Sequence, residues 1–313
     1  MDKSIFNSIS ISDFAWAFGA TEDEVARFCE EVVKTRDFSY QVCSQQTREQ
    51  IFLDVLRKCD NGEFSVSGTR RKSDWSRGWG EIRREFHQSN YDLKALMPKD
   101  IHGDRPMRYN GNYIMAKSGS FEHDFSTVFR NWLYRKLFGD FDNIYEFGCG
   151  TGHNLALIAT IFPHKRFFGM DWVPESQQIL SDISHKYGWQ ISGLPFDFFK
   201  PDYNAEILPN SLVYTSAALE QLGDAHGKFI DYLLAKRPVL CVNVEPVAEY
   251  YNADNLFDYV ALKYHRTRNY LGGFLTRLQG LAKERKIEII ASKRLGFGSL
   301  YHEVYSYVVW KAL

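Results

Sequence analysis

A glycine-dense turn is the segment whose residue types and spacing most directly indicate chemistry. Residues 145–154 read YEFGCGTGHN, between a short apolar run and a helical pattern. Glycines allow a tight turn and let a ligand approach the backbone closely, and the helix that follows offers free N–H groups to an anion. A dinucleotide loop would read G-x-G-x-x-G. Here Gly152 comes one residue early and His153 takes the expected place, which argues against a nicotinamide cofactor.

Acidic and aromatic residues follow each of the next two apolar runs. Asp171 and Trp172 come about 20 residues after the turn, where an acid binds ribose hydroxyls in nucleotide-binding folds. A helix-capping aspartate is the alternative, because Pro174 begins a helical pattern. Asp197 and Phe198 close the following run, where the alternative is a turn aspartate beside core phenylalanines.

Alternating strands and helices must position these residues. From Asn143 onward, apolar runs typical of strands alternate with amphipathic helical patterns, which indicates parallel β-α-β units. Two final runs, Ile287–Ala291 and Val304–Trp310, fit the antiparallel addition that many mixed sheets carry. The three features above each lie at the carboxyl end of a predicted strand, where open α/β sheets bind ligands.

The glycine turn with Asp171 and Asp197 resembles the class I S-adenosylmethionine-dependent methyltransferases over roughly residues 121–313. The resemblance implies an α/β, Rossmann-like fold with a mostly parallel seven-stranded sheet and an antiparallel last strand. It implies S-adenosyl-L-methionine as methyl donor, with Asp171 on the ribose and Asp197 on the adenine amino group. The residues it assigns to cofactor binding are Glu146, Gly148, Cys149, Gly150, Gly152, Asn154, Asp171, Trp172, Asp197 and Phe198.

A narrower resemblance concerns a bacterial group described as sugar O-methyltransferases. It rests on Phe168–Trp172, Ala218–Leu222, Val244–Pro246, the motif Tyr264-His-Arg with Arg268–Leu271, and Tyr301–Glu303. That group is associated with surface polysaccharides and glycosylated natural products. The acceptor that it implies is a sugar or sugar conjugate.

An alcohol acceptor must lose a proton, so a His or carboxylate base is expected near the methyl group. Glu220 follows the fourth predicted strand and Glu245 the fifth, while His265 lies in an insertion after the fifth. We predict these three as catalytic, with His302 as a weaker candidate. Each has a structural alternative: a helix cap for Glu220, an ion pair for Glu245 and a hydrogen-bonded core histidine for His265.

Other readings of the same residues stay open. Glu220, Glu245 and His265 could together ligate Mg²⁺, but the spacing does not establish a metal site and none is predicted. Arg266 and Arg268 could hold an anionic group of the acceptor, or lie on a solvated helix face. Nitrogen or carbon methylation of another metabolite, and a non-catalytic S-adenosylmethionine-binding module, are the alternative functions.

The first third of the chain has a different pattern. Residues 1–120 are predicted to form a mainly helical accessory region, and 121–313 the methyltransferase domain. Residues 98–120 are rich in Pro and Gly, which predicts a loop. The basic run Arg70–Lys72 is interpreted as surface. Trp75 and Trp79 are interpreted as a small hydrophobic cluster, with a sugar-stacking wall as the alternative.

Composition limits the class of protein. The formal net charge of −1 provides no field for nucleic acid, and no N/D-P-P-Y motif typical of nucleic-acid methyltransferases occurs. Five scattered cysteines without a C-x-x-C favour a reducing, cytoplasmic location. No apolar run approaches the ~18 residues of a membrane span, and the first residues lack the pattern of a signal peptide. The sequence does not indicate an oligomeric state.

Overall fold

The computed structural model describes residues 6–97 and 105–313. The strands in these ranges are β1 (Asn7–Ser8), β2 (Ser39–Val42), β3 (Met107–Tyr109), β4 (Asn112–Ala116), β5 (Asn143–Phe147), β6 (Arg166–Asp171), β7 (Ile191–Pro195), β8 (Ser211–Ser216), β9 (Leu240–Val244), β10 (Ile287–Lys293), β11 (Phe297–Gly298) and β12 (Tyr307–Ala312). The α-helices are α1 (Ile11–Phe18), α2 (Glu22–Thr35), α3 (Gln45–Asp60), α4 (Lys72–Gln88), α5 (Phe121–Leu137), α6 (His153–Ile161), α7 (Pro174–Tyr187), α8 (Gly227–Lys236), α9 (Leu256–Arg268) and α10 (Phe274–Lys283).

A seven-stranded mixed sheet organises the second part of the chain. Its strand order is β10-β12-β9-β8-β5-β6-β7. The pairs from β9 to β7 are parallel, and β12 is antiparallel to both of its neighbours. The chain moves outward from β5 to β7 and then returns to β8 on the other side of β5. This reversal opens a crevice at the carboxyl ends of β5 and β8. The Rossmann-like fold predicted from the sequence is confirmed.

The alternation of side chains along β5 explains how the sheet is buried on both faces. Ile144 packs into the core beneath α5 and α6, whereas Tyr145 and Phe147 pack into a second core with α8 and α10. Successive strand residues point to opposite faces, so Glu146 lies on the α5 face. A polar side chain is therefore set into an otherwise apolar layer, directly before the glycine turn.

A second, five-stranded antiparallel sheet has the order β1-β2-β4-β3-β11. Strands β3 and β4 form a hairpin within residues that the sequence pattern predicted to be loop, so that prediction was wrong for 107–116. Asn110 and Gly111 both have positive φ, of 44° and 76°, which is the backbone of a type I′ hairpin turn. The part of the predicted loop at 98–104 lies outside the described residues.

The strand β11 comes from late in the chain yet completes this first sheet. Phe297 pairs with Tyr109, and its ring stacks on that of Phe125 at 3.8 Å between centroids. Phe14 and Phe18 of α1 belong to the same core as the α5 face of the large sheet. Residues on both sides of position 120 thus share one core. The division at that position remains a prediction.

None of the helices in the described parts of the chain has the length and apolar character needed to cross a bilayer.

Candidate functional site

The glycine turn lies at the carboxyl end of β5 and leads directly into α6. Gly148, Gly150 and Gly152 all have positive φ, of 71°, 52° and 71°, a conformation that disfavours residues with a Cβ. A Cβ on Gly148 would lie 2.4 Å from that of Ala218, and one on Gly152 would lie 2.4 Å from Leu180 Cδ2. Gly148 and Gly152 therefore allow close packing, and a Cβ on Gly150 would lie 3.1 Å from the indole of Trp79.

Asp171, the last residue of β6, is held against this turn. Its Oδ2 accepts a hydrogen bond from the Gly150 N–H at 2.9 Å, and its Oδ1 accepts one from the Val173 N–H at 3.1 Å. Burial raises the pKa of this carboxyl group, although the backbone donors oppose the effect. The predicted ribose acid thus lies in a fixed orientation beside the glycine backbone.

An aromatic pocket surrounds the turn and Asp171. The lining residues come from the ends of β5, β6, β7 and β8 and from α4: Trp75, Trp79, Gly148, Gly150, Asp171, Trp172, Phe196, Phe198, Phe199, Ala217, Ala218, Gln221 and Leu222. The pocket brings together five of the predicted cofactor residues, with flat ring faces on several sides. Such a site suits a planar, partly polar ligand.

Trp75 and Trp79 were not predicted to belong to this pocket. They lie one turn apart on α4, and their rings stack at 5.2 Å between centroids. Their four-residue spacing indicates that they share one face of a helix, but the neighbouring sequence does not indicate which part of the protein that face packs against. Of the two interpretations given to this tryptophan pair, only the alternative, a sugar-stacking wall, associated it with a ligand.

Polar contacts fix α4 over the pocket. Asp182 of α7 accepts from Arg83 Nε at 2.7 Å and contacts His87 Nε2 at 2.8 Å. Ser76 donates to Glu175 Oε1 at 2.8 Å, beside the start of α7. These contacts connect α4 to the large sheet through α7, the helix that follows Asp171.

The remaining predicted cofactor residues lie around the pocket without lining it. Asn154 Nδ2 donates to Glu146 Oε1 at 2.7 Å on the α5 face of the sheet. Cys149 is buried, and a Cβ on Gly169 would lie 2.9 Å from its Sγ. Asp197 lies between the lining residues Phe196 and Phe198, and its Oδ1 accepts from the Phe199 N–H at 2.8 Å.

Glu245 and Glu220 meet at the ends of β8 and β9. Glu245 is completely buried, with Oε1 accepting from the Ala218 N–H at 3.2 Å and Oε2 accepting from the Glu220 N–H at 3.3 Å. Burial raises the pKa of Glu245 to about 8, and the nearby Glu220 adds to the effect. Glu245 thus holds the short helix Leu219–Leu222, which carries two residues of the pocket wall.

Glu220 lies behind the wall of the aromatic pocket without lining it. Its neighbour Gln221 lines the pocket, and Gln221 Nε2 donates to Glu220 Oε1 at 2.9 Å. Burial raises the pKa of Glu220 to about 7, while its hydrogen bonds with Gln221 and Tyr270 and the charge of Arg268 oppose the rise. A carboxyl group that titrates near neutrality is suited to accept a proton.

His265 lies away from the pocket lining, inside a cluster of aromatic residues. Its Nε2 is 3.1 Å from His302 Nδ1, and both rings are buried. Burial lowers the pKa of His265 to about 3, with the Arg108 charge contributing. The ring of Tyr270, which hydrogen-bonds Glu220, lies 5.8 Å from that of His265. The structure therefore connects the three predicted catalytic residues through contacts, and Glu220 and Glu245, unlike His265, hydrogen-bond residues of the pocket lining.

The basic residues differ in environment. Arg268 lies over the Tyr270 ring at 4.7 Å and donates to Tyr264 Oη, whereas Arg266 is exposed. In the basic run, Arg71 is partly buried over Trp75, and Lys72 lies over Trp172 at 5.5 Å. Within residues 6–97 and 105–313, no group of three or more His, Cys, Asp or Glu side chains could hold a metal ion.

Comparison with known proteins gives no match to a family model and none to a curated protein. Solved structures do resemble parts of the chain. Human N-acetylserotonin methyltransferase in complex with S-adenosylmethionine is 16% identical, with a TM-score of 0.38, over 63% of this chain and 57% of that chain.

Two further solved structures cover similar shares of this chain. The methyltransferase domain of a bacterial Hen1 protein is 16% identical with a TM-score of 0.44, over 58% of this chain and 96% of that chain. The small RNA methyltransferase HEN1 is 12% identical with a TM-score of 0.45, over 64% of this chain and 28% of that chain. The strand order and register of the chain itself establish its fold.

Proposed function

We propose that this chain is an S-adenosyl-L-methionine-dependent methyltransferase that methylates a hydroxyl group of a small polar acceptor. The observation that carries the proposal is the aromatic pocket at the switch point of the sheet. It combines Gly148, Gly150 and Asp171 with the ring faces of Trp172 and Phe198. An adenosyl group needs a carboxylate for its ribose, flat apolar faces for its base and a glycine backbone that it can approach.

The residues present fit that donor. Asp171 would hold the ribose hydroxyls, since its oxygens already lie among backbone donors at the turn. Trp172 and Phe198 would cover the adenine, and Asp197 lies beside them to accept from its amino group. Glu146, directly before the turn, carries a buried Oε2 without a hydrogen-bond partner. A ligand with donor groups would satisfy that oxygen.

When bound, the donor supplies an electrophilic methyl group: the acceptor oxygen bonds to the methyl carbon as the carbon–sulfur bond breaks. The chain must orient the acceptor and take up the proton of its hydroxyl. Glu220 is the proposed base, because it accepts a hydrogen bond from the lining residue Gln221 and its pKa of about 7 allows it to be ionised near neutral pH. Glu245 would position Glu220 through its contact with the Glu220 N–H.

A sugar or sugar conjugate is the proposed acceptor, in bacterial polysaccharide or glycosylated-metabolite synthesis. The narrower sequence resemblance supports this choice. The half-buried rings of Trp75 and Trp79 at the pocket also support it, since apolar faces of sugar rings pack against indoles. The two alternative reactions make other demands on the site: methylation of nitrogen needs a weaker base, and methylation of carbon needs a stabilised carbanion.

The test begins with calorimetric titration of S-adenosylmethionine and S-adenosylhomocysteine into the full chain, with NAD as a control ligand. We expect both adenosyl ligands to bind and NAD not to bind. Transfer from methyl-labelled donor is then measured on a panel of sugar nucleotides, phosphosugars, amines and phenols. Absence of S-adenosylmethionine binding at high micromolar concentration would refute the function. Transfer to amines alone would refute the hydroxyl assignment.

A further inference from the structure

Three cationic side chains lie close to the wall of the aromatic pocket and have no role in the chemistry proposed above. We call Arg71, Lys72 and Arg268 the cationic group. Arg71 and Lys72 lie at the start of α4, and Arg268 is the last residue of α9. The Ser67 N–H donates to the Arg268 carbonyl oxygen at 2.8 Å. The segment that leads into α4 is therefore attached to the end of α9.

Two members of the cationic group contact rings that line the pocket. The Arg71 guanidinium lies 5.1 Å from the centre of the Trp75 ring, and Lys72 Nζ lies 5.5 Å from that of Trp172. Both rings belong to the pocket lining. A cation over an aromatic face is attracted by the electrons of the ring. The two charges are therefore held beside the cavity.

The third member, Arg268, lies near the proposed base. Tyr270 hydrogen-bonds Glu220, and the Arg268 guanidinium lies over the Tyr270 ring at 4.7 Å. Burial raises the pKa of Glu220, and the charges of both Arg268 and Arg71 oppose that rise. Cations from α4 and α9 therefore lie near the carboxyl group that would accept the proton of the acceptor.

Acidic side chains balance these charges only in part. Among the described residues, neither Lys72 nor Arg268 forms an ion pair with an acid. Asp74 pairs with Arg71 at 3.0 Å, but it also pairs with Arg77 at 3.0 Å. Arg268 Nε is buried without a hydrogen-bond partner. Buried donors are almost always satisfied by protein, water or a ligand, so the cationic group suits an anion from outside the chain.

A phosphate group is the anion that this arrangement suits best. A guanidinium can give two parallel hydrogen bonds to phosphate, and an ammonium adds a compact charge. A phosphate monoester carries close to two negative charges at neutral pH, which several cations match better than they match one carboxylate. Trp75 and Trp79 offer ring faces to a sugar at the same pocket. The phosphate and the sugar would therefore belong to one molecule.

We propose that the cationic group binds the phosphate of a phosphorylated sugar acceptor, either a sugar phosphate or a sugar nucleotide. This acceptor class rests on the proposed function, since the sugar would lie in the same pocket as the methyl donor. Binding of the phosphate would fix one end of the acceptor, so that a hydroxyl group of its ring is oriented towards the methyl group. Neutral sugars would lack this anchor.

The first experiment does not require the acceptor to be known. Pyrophosphate and malonate, a dicarboxylate, are titrated by calorimetry at low ionic strength into the full chain saturated with S-adenosylhomocysteine. We expect pyrophosphate to bind at least about tenfold more tightly than malonate. Equal binding of the two, or no binding of pyrophosphate, overturns the phosphate site and leaves the proposed function standing. If S-adenosylhomocysteine itself does not bind, the proposed function fails, and the acceptor class with it.

Substitution then locates the bound phosphate. Lys72→Gln and Arg268→Gln should each weaken pyrophosphate binding about tenfold, as for loss of a charge-assisted hydrogen bond. Arg84→Gln on α4 and Arg266→Gln on α9 are the matched controls, because both side chains are exposed, and they should leave that affinity unchanged. Lys72 is exposed, so its variant serves if Arg268→Gln does not fold. Equal weakening in variants and controls would mean that pyrophosphate senses only the general charge of the surface.

Transfer from methyl-labelled donor gives the second readout. Each sugar is offered as its methyl glycoside, its 1-phosphate and its nucleoside diphosphate ester, and the last two distinguish the sources of phosphate. We expect a higher kcat/KM for a phosphorylated form, and Lys72→Gln should reduce that advantage mainly by raising KM. Transfer to neutral glycosides that equals transfer to the phosphorylated forms overturns the acceptor class but not the methyltransferase function.

Discussion

The cofactor end and the acceptor end of the site use carboxylates in opposite ways. At the cofactor end, Asp171 lies at the pocket surface, and its backbone donors hold it beside space for a ligand. At the acceptor end, both oxygens of Glu245 accept from backbone N–H groups, whereas Glu220 Oε1 accepts from the side chain of the lining residue Gln221. Acidic residues at neighbouring strand ends therefore have different roles in the proposed reaction: Asp171 would bind the donor, Glu245 would support the pocket wall, and Glu220 would accept the proton.

The largest effect is expected from Glu220→Gln. If Glu220 is the base, kcat should fall about 10²–10⁴-fold with cofactor affinity unchanged. Because the pKa of Glu220 is about 7 and its ionised form is the active one, wild-type kcat should rise with pH through 7 and then level. Steady-state kinetics across pH measures both effects.

Glu288→Gln, at an exposed strand position paired with Lys311, is the control and should leave kcat unchanged. A pH profile of kcat that is flat through 7 would remove Glu220 from the role of base and weaken the contrast with Glu245.

Glu245→Ala should act on stability. The substitution leaves the buried N–H groups of Ala218 and Glu220 without an acceptor, which we expect to lower the free energy of unfolding by about 3 kcal/mol. Glu245→Gln retains an acceptor oxygen and should cost less. Urea denaturation measures the loss. A stable Glu245→Ala variant with no activity would show that Glu245 takes part in the reaction.

The pH dependence of the free energy of unfolding tests whether the carboxyl group of Glu245 is buried. Folding raises the Glu245 pKa from 4.5 to about 8, so the folded chain keeps a proton that the unfolded chain has released between those values. Stability should therefore fall as pH rises from about 5 to 8. Glu245→Gln should flatten part of that slope, whereas an unchanged slope would mean that other groups, such as Glu146, cause it.

Asp171→Asn should weaken S-adenosylmethionine binding about 10- to 100-fold, because the amide loses the charge that favours ribose donors. Asp182→Asn, in the contact between α4 and α7, is the companion variant. It should weaken binding less, since it affects only the helix that covers the pocket. Equal effects in calorimetry would show that Asp171 acts through helix packing and not through the ligand.

Much of this organisation could be predicted from the sequence. The strand alternation and the glycine turn are local patterns, and the carboxyl ends of parallel strands converge by topology, so Asp171, Phe198 and Glu220 could be assigned to one edge. Trp79 could not, because its contact with Gly150 depends on the docking of α4 against α7. Asn110-Gly111 was a usable hairpin signal, but the surrounding Pro and Gly favoured a loop prediction.

The smallest expected effect is that of Trp79→Ala, which removes the ring facing Gly150. We expect S-adenosylmethionine affinity to fall about 3- to 10-fold, as for loss of an aromatic contact. Trp16→Ala is the control, because Trp16 is 62% exposed and does not line the pocket. Tighter binding in Trp79→Ala would show instead that the indole competes with the ligand.

The placement of β11 has a consequence for how the protein is made. Phe297 and Gly298 form the edge strand of a sheet whose other strands lie within residues 7–116. During vectorial synthesis, those earlier strands leave the ribosome long before their last neighbour exists, with the edge of β3 uncovered. Completion of the first sheet must therefore wait until synthesis has passed residue 298, so its edge strand is added long after its other strands have been made.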